Sequence, residues 1–150
     1  MDWRYLFFDF NGRISRKPWW ICGLILVGIA LAFGTAAGAT AVLTGAEALV
    51  GIAAIIFVLA IMYPSMALGA KRLHDRGKSA WWLILFYVLP NVLEGIGGYI
   101  GGEEGVLPLS VAAGALGIWG LVELGFLKGE QGPNAYGPDP LGSTQADASL

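Results

Sequence analysis

With 150 residues, 56% of them apolar, and a mean hydropathy of +0.65, the chain has room for one domain and is too apolar for an ordinary water-soluble one. A net charge of -2 argues against a nucleic-acid partner, because neutralising phosphates needs a basic field. The single cysteine, Cys22, excludes an intrachain disulfide and a cysteine-based metal site, and inside an apolar run it reads as a small buried hydrophobe.

Met1 to Lys17 is an amphipathic lead in which Trp3, Tyr5, Phe7, Phe8 and Phe10 alternate with Asp2, Arg4, Asp9, Arg13, Arg16 and Lys17. Rings and cations together suit the headgroup layer of a bilayer. Asn11-Gly12 is a turn signal, and Ser15 is placed to cap a helix whose first turn contains Pro18. No cleavable signal peptide is expected, since the apolar run from Trp19 is too long for one and lacks a small-residue cleavage site.

Four apolar segments follow, at about 19–43, 49–70, 80–100 and 106–127. The first two carry no acidic residue and are long enough to cross roughly 30 Å of hydrocarbon. The third is weaker, interrupted by Pro90, Asn91 and Glu94, and the fourth has Glu123 near its end. Thr44 to Glu47 and Gly101 to Gly105 read as the connecting turns. The predicted fold is all-α: a polytopic membrane domain over 1–142, four transmembrane helices in a compact bundle, then a disordered tail over 143–150.

The cations set the orientation. Arg4, Arg13, Arg16 and Lys17 precede the first span; Lys71, Arg72, Arg76 and Lys78 lie between the second and third; Lys128 follows the fourth. The other two loops hold only Glu47, Glu103 and Glu104. Positively charged loops stay on the cytoplasmic side, so both termini are expected in the cytoplasm. Trp19, Trp20, Trp81 and Trp82 start the first and third spans, where interfacial rings belong. Small residues at four-residue spacing (Ala30, Gly34 and Gly38; Ala113 and Gly117) permit close helix approach, within one chain or between two copies.

Three polar clusters should therefore share the inner face: Phe10-Asn11-Gly12-Arg13-Ile14-Ser15-Arg16, then Lys71-Arg72-Leu73-His74-Asp75-Arg76-Gly77-Lys78-Ser79, then Gly129-Glu130-Gln131-Gly132-Pro133-Asn134-Ala135-Tyr136-Gly137-Pro138-Asp139-Pro140. On these three motifs, in this order, the chain resembles a bacterial inner-membrane family catalogued as domain of unknown function 805, over about residues 3 to 142. The resemblance implies a four-span integral membrane protein of the bacterial inner (plasma) membrane. It implies no activity, and no catalytic residue comes with it.

The residues permit two uses of the cluster. In the structural one, α-helix continues through Lys71 and Arg72, stops near Gly77 in a left-handed cap and restarts at Ser79, while Arg13 or Arg16 pairs with Asp75 or Asp139. In the other, Asn11, Gly12, Arg13, Arg16, Lys71, Arg72, His74, Asp75, Arg76, Asn134, Tyr136 and Asp139 form a binding site, with arginine forks suited to an anionic lipid headgroup or small anion. No metal or cofactor is expected: His74-Asp75 would need further ligands, and there is no second histidine. Three functions are ranked in order: a non-enzymatic membrane protein binding lipid, a small anion, a partner membrane protein or its own copies; a small oligomeric channel or transporter using Asn91 and Glu94; and a membrane-embedded lipid-headgroup enzyme with His74 as general base.

Overall fold

The computed structural model describes residues 2–100 and 103–142, and within them it is helical, without a β-strand. The expected turn residues Gly101 and Gly102, and the expected tail 143–150, lie outside the described residues.

The lead contains a short helix, α1 (Trp3–Phe8), started by Asp2, whose carboxylate accepts the amide N–H groups of Arg4 and Tyr5. α2 (Arg16–Thr44) begins after Ser15, which stands at the N-cap position in extended backbone yet forms no side-chain cap bond. Pro18 removes one of the two usual donors. A capping oxygen takes the N–H of the second or third helical residue, and the third here is a proline without one.

α2 ends at Gly45, whose φ of 66° lets its N–H return to the Ala41 carbonyl at 2.9 Å. α3 (Glu47–Asp75) then runs back beside α2, with Phe33 and Phe57 stacked at 3.9 Å. Its end is a Schellman cap: Gly77, at φ 66°, donates to His74 and Lys78 donates to Leu73. After a turn, where the Ser79 hydroxyl accepts the Trp81 N–H at 3.4 Å, helix resumes as a π-helical turn over Ile84–Val88 and continues as α4 (Leu89–Ile100). α5 (Glu103–Leu121) starts before residue 106, taking Glu103 to Gly105 into the helix rather than the turn. It closes in a second π-helical turn, Val122–Phe126.

Three helical segments, Arg16–Thr44, Glu47–Asp75 and Val106–Phe126, are long and apolar enough to cross a membrane, while Ile84–Tyr99 is shorter. They form two antiparallel hairpins, α2–α3 and α4–α5. The expected compact bundle is tightly packed at one end of the hairpins only. They meet at one end, through the two π-helical turns. There Ala70, Leu73, Leu83, Phe86 and Leu124 form one buried cluster, and Leu6, Ile14, Cys22 and Leu68 a second beside it.

Away from that end the hairpins part. Gly34 and Gly38 have no neighbour within 4 Å of where a side chain would begin, so this small-residue row is not packed by the described chain; in the second row Ala113 is buried but Gly117 is equally open. Lipid offers apolar surface as well as a helix does, so such faces have little drive to close on each other.

Candidate functional site

The end of α3 organises the site. Nine consecutive residues, Ala67–Asp75, are buried, so every face of the helix is covered over its last turns. Two cations lie among them, Lys71 and Arg72, both 0% exposed. Charges are buried only when satisfied, and each of these caps the C-terminus of another helix.

Lys71 closes α1. Its ammonium donates to the carbonyls of Tyr5, Leu6 (2.7 Å) and Asp9 (2.6 Å), and it stands 4.7 Å from the Tyr5 ring centroid. Arg72 closes α5: Nε donates to the Leu124 carbonyl at 2.7 Å and one terminal nitrogen to that of Leu127, while the other pairs with Asp75. The intervening carbonyls also have donors, Gly125 from the Trp20 indole at 3.0 Å and Phe126 from Arg16 at 3.1 Å. The four carbonyls from Leu124 to Leu127 thus all take donors from neighbouring elements.

Asp75 joins the three chain segments. One oxygen takes Arg72 and the other takes Arg13 at 3.2 Å. Arg13 then reaches into the tail, donating to the carbonyls of Glu130 (2.6 Å), Gly132 (2.7 Å) and Gly137 (3.2 Å). The Asp75 carbonyl accepts the Glu130 N–H at 2.8 Å, and a β-carbon on Gly129 would fall 2.0 Å from the Asp75 carboxylate. Glycine is required there by contact alone.

His74 lies flat on Tyr136, rings 4.0 Å apart and 3° from parallel, and its Nδ1 donates to the Gly12 carbonyl at 3.2 Å. Asn134 donates to the His74 carbonyl and to Glu130, both at 2.9 Å. Asp139 is held in the tail, accepting the Leu141 and Gly132 N–H groups at 2.9 Å, which keeps its carboxyl below the usual aspartate range. Burial pushes the Tyr5 phenol up, so it stays protonated while donating to the Arg13 carbonyl at 3.1 Å.

The structure therefore brings Gly12, Arg13, Lys71, Arg72, His74, Asp75, Asn134 and Tyr136 together, with Asp139 at the tail's turn. Arg16 pairs with neither Asp75 nor Asp139; it is exposed and bonds only the Phe126 carbonyl. Asn11 is exposed too, its backbone N–H turned onto the Asp9 carboxylate. Arg76 belongs to a second group, donating to Glu123 at 2.7 Å beside Lys78 at 2.6 Å. Sequence reasoning had Glu123 as a span-end acid and did not assign it these partners; two cations within three residues were the signal for a buried anion. Asn91 and Glu94 lie one turn apart on α4, both exposed, with the Asn91 amide on the Tyr87 carbonyl. Among the described residues, no buried side-chain nitrogen or oxygen lacks a hydrogen-bond partner.

Between the lead and the tail opens a cleft of about 780 Å³, with Tyr5 and Arg13 on one side and Pro133, Pro138 and Pro140 on the other.

Long apolar helices, joined at one end by a polar cap of buried cations, define a helical membrane protein. The chain belongs to the family described as "Protein of unknown function (DUF805)", whose model matches residues 7–138. It is 33% identical over 141 residues to the uncharacterized protein YiiR of Escherichia coli K12, covering 88% of this chain and 86% of that one. It is also similar to two inner membrane proteins of the same organism: YhaH, 35% over 95 residues (59% and 74% of the two chains), and YhaI, 32% over 79 residues (53% and 62%). No solved structure matches.

Proposed function

We propose that this is a non-enzymatic, multi-pass protein of the bacterial inner membrane, with four spans and both termini cytoplasmic, whose polar cap clamps lead and tail onto the helices as one rigid inner-face platform. The observation that carries the reading is the Arg13 guanidinium, which joins Asp75 on α3 to three carbonyls of the tail. A fork engaged on this many fixed acceptors works as a staple. Orientation is supported by the cations, which gather at the joined end of the hairpins, while Glu47 starts α3 at the far end. The cleft beside Arg13 is where a partner protein or small anion would meet the platform. The Nδ1–H of His74 is already engaged on Gly12 and its ring covered by Tyr136, which favours a positioning role over that of a general base.

Two measurements test this. Reporter fusions should place the C-terminus in the cytoplasm and the loop at Gly45 on the opposite side. Limited proteolysis in membranes should cut the Arg13→Gln variant near Gln131 far faster than the wild type, with insertion unchanged. Equal protection of both tails would sink the clamp, and a Gly45 reporter in the cytoplasm would overturn the orientation.

A further inference from the structure

The inner-face cations divide into two sets. Arg13, Lys71, Arg72, Arg76 and Lys78 are engaged by carbonyls and carboxylates of the chain. Arg4, Arg16, Lys17 and Lys128 are exposed, and among the described residues none of them enters an ion pair; the last three flank the start of α2. Among the described residues Arg16 makes a single hydrogen bond, to the Phe126 carbonyl, out of the five donors of a guanidinium.

Directly beneath Arg16, one helical turn along the same face of α2, is Trp20, its ring fixed by the bond to Gly125. Trp20 begins an apolar crevice of about 340 Å³ where the two hairpins part, lined on α2 by Gly23, Leu24 and Val27 and across from them by Leu68 and Leu121. Gly23 has nothing within 4 Å of its missing side chain, so the crevice is open there. Beside Arg16 lies a polar cleft of about 270 Å³ lined by Arg72 and Lys128 and by three carboxylates, Asp75, Glu130 and Asp139. Those acids are already engaged, Asp75 by Arg13 and Arg72, Glu130 by Asn134 and Asp139 by two backbone amides, so Arg16 stands where an apolar slot meets a polar one with its own charge unpaired.

We propose that this composite binds one anionic phospholipid, with an acyl chain in the crevice between the hairpins and the phosphate at Arg16, flanked by Lys17 and Lys128. A guanidinium meets phosphate with two parallel N–H donors, and the lysines add point charge beside it. The charge pattern favours a lipid over a second copy of the chain. A symmetric copy seated on this face would bring the same three cations against themselves, whereas a phosphate neutralises them. At about 340 Å³ the slot is within the size range of ligand pockets. The bilayer leaflet supplying the lipid rests on the orientation proposed above; binding itself does not, and the reporter fusions decide the orientation separately.

The experiment is native mass spectrometry of the full chain in mild detergent, titrated with phosphatidylglycerol or with phosphatidylcholine of the same acyl chains. The wild type is expected to hold one phosphatidylglycerol in preference to phosphatidylcholine. Lys17→Gln with Lys128→Gln should weaken it by roughly fivefold per cation removed, and adding Arg16→Gln should abolish the headgroup preference. Gly23→Leu fills the crevice without an internal clash and should reduce retention of both lipids, with thermal stability unchanged. Equal retention of the two lipids, or phosphatidylglycerol binding indifferent to both the double lysine and the Gly23→Leu variants, overturns the proposal. So does a lipid-free dimer that Gly23→Leu dissociates, which would give the face to a second copy.

Discussion

The two ends of the helical hairpins obey different rules. At the joined end, α3 is buried on every face and carries two fully buried cations, each seated on another helix's terminal carbonyls. At the far end, Ile52, Ile55, Ile56 and Leu59 of the same helix are exposed apolar side chains that no described residue of the chain covers. One helix of 29 residues thus has a protein-like terminus and a membrane-like body. The difference teaches where specificity resides: apolar surface in a bilayer discriminates little between neighbours, while an unmet carbonyl or carboxylate accepts few substitutes.

The largest expected effect comes from breaking the polar end at its centre. Asp75→Asn removes the anion from two buried guanidinium groups, and leaving such charges uncompensated costs about 3–5 kcal/mol. Thermal unfolding in detergent should show this as a large loss. Glu94→Gln, on the exposed face of α4, should stay within about 0.5 kcal/mol. If the two variants melt alike, the contrast between the ends fails.

Next is Lys71→Met, which keeps the length of the stem but leaves the Tyr5, Leu6 and Asp9 carbonyls without their donor. The expected loss is about 1.5–3 kcal/mol, the range for hydrogen bonds to a charged group. Hydrogen exchange should locate it, with α1 losing protection while the α2 and α3 amides near Gly45 keep theirs. Loss spread evenly over both hairpins would mean that Lys71 does not act through α1.

How much of this was legible beforehand follows from the same contrast. Cations show in a sequence, so the gathering of three clusters on one face could be read from charge and loop parity, and the family from the motifs themselves. The left-handed cap at Gly77 was legible because it depends on one residue's backbone freedom. Backbone acceptors carry no residue signature, so nothing in Lys71 or Arg72 told of the helix ends they would cap. Nor could the two sets of cations be told apart: Arg13 and Arg16 look equivalent in Arg13-Ile14-Ser15-Arg16, yet one is stapled inside and the other exposed. The splay of the hairpins was hidden for the opposite reason. Ala30, Gly34 and Gly38 permit close packing, but permission does not select a neighbour.

A smaller effect probes how tightly the tail is fitted to α3. In Gly129→Ala the added carbon would meet the Asp75 carboxylate at 2.0 Å, and that carboxylate cannot swing away without releasing Arg13 or Arg72. Overpacking of this kind costs about 1–3 kcal/mol. Proteolysis of the tail should accelerate more than that of either hairpin. A matching change at Gly34, which has open space around it, should leave the melting temperature in place.

The smallest effect is one of pH, at the edge of the cap. The Leu141 and Gly132 N–H groups favour the charged form of Asp139 and hold its carboxyl below the usual aspartate range, with Arg13 a lesser contributor. For a group whose folded value is depressed, the stabilising contribution is fully present above the unfolded value and is lost as pH falls through the folded one. The turn over 132–141 should therefore be fully formed at neutral pH and loosen only in acid. Amide resonances of Gly132 and Leu141 are the direct readout: both should move together, with a shared midpoint below that of an unstructured aspartate, and Asp139→Asn should remove the transition. Separate midpoints, or one at the ordinary aspartate value, would mean that the carboxylate is not shared between the two amides, and the tail would then be held by Arg13, Asn134 and the contacts of Glu130 and Tyr136 with α3 without help from Asp139.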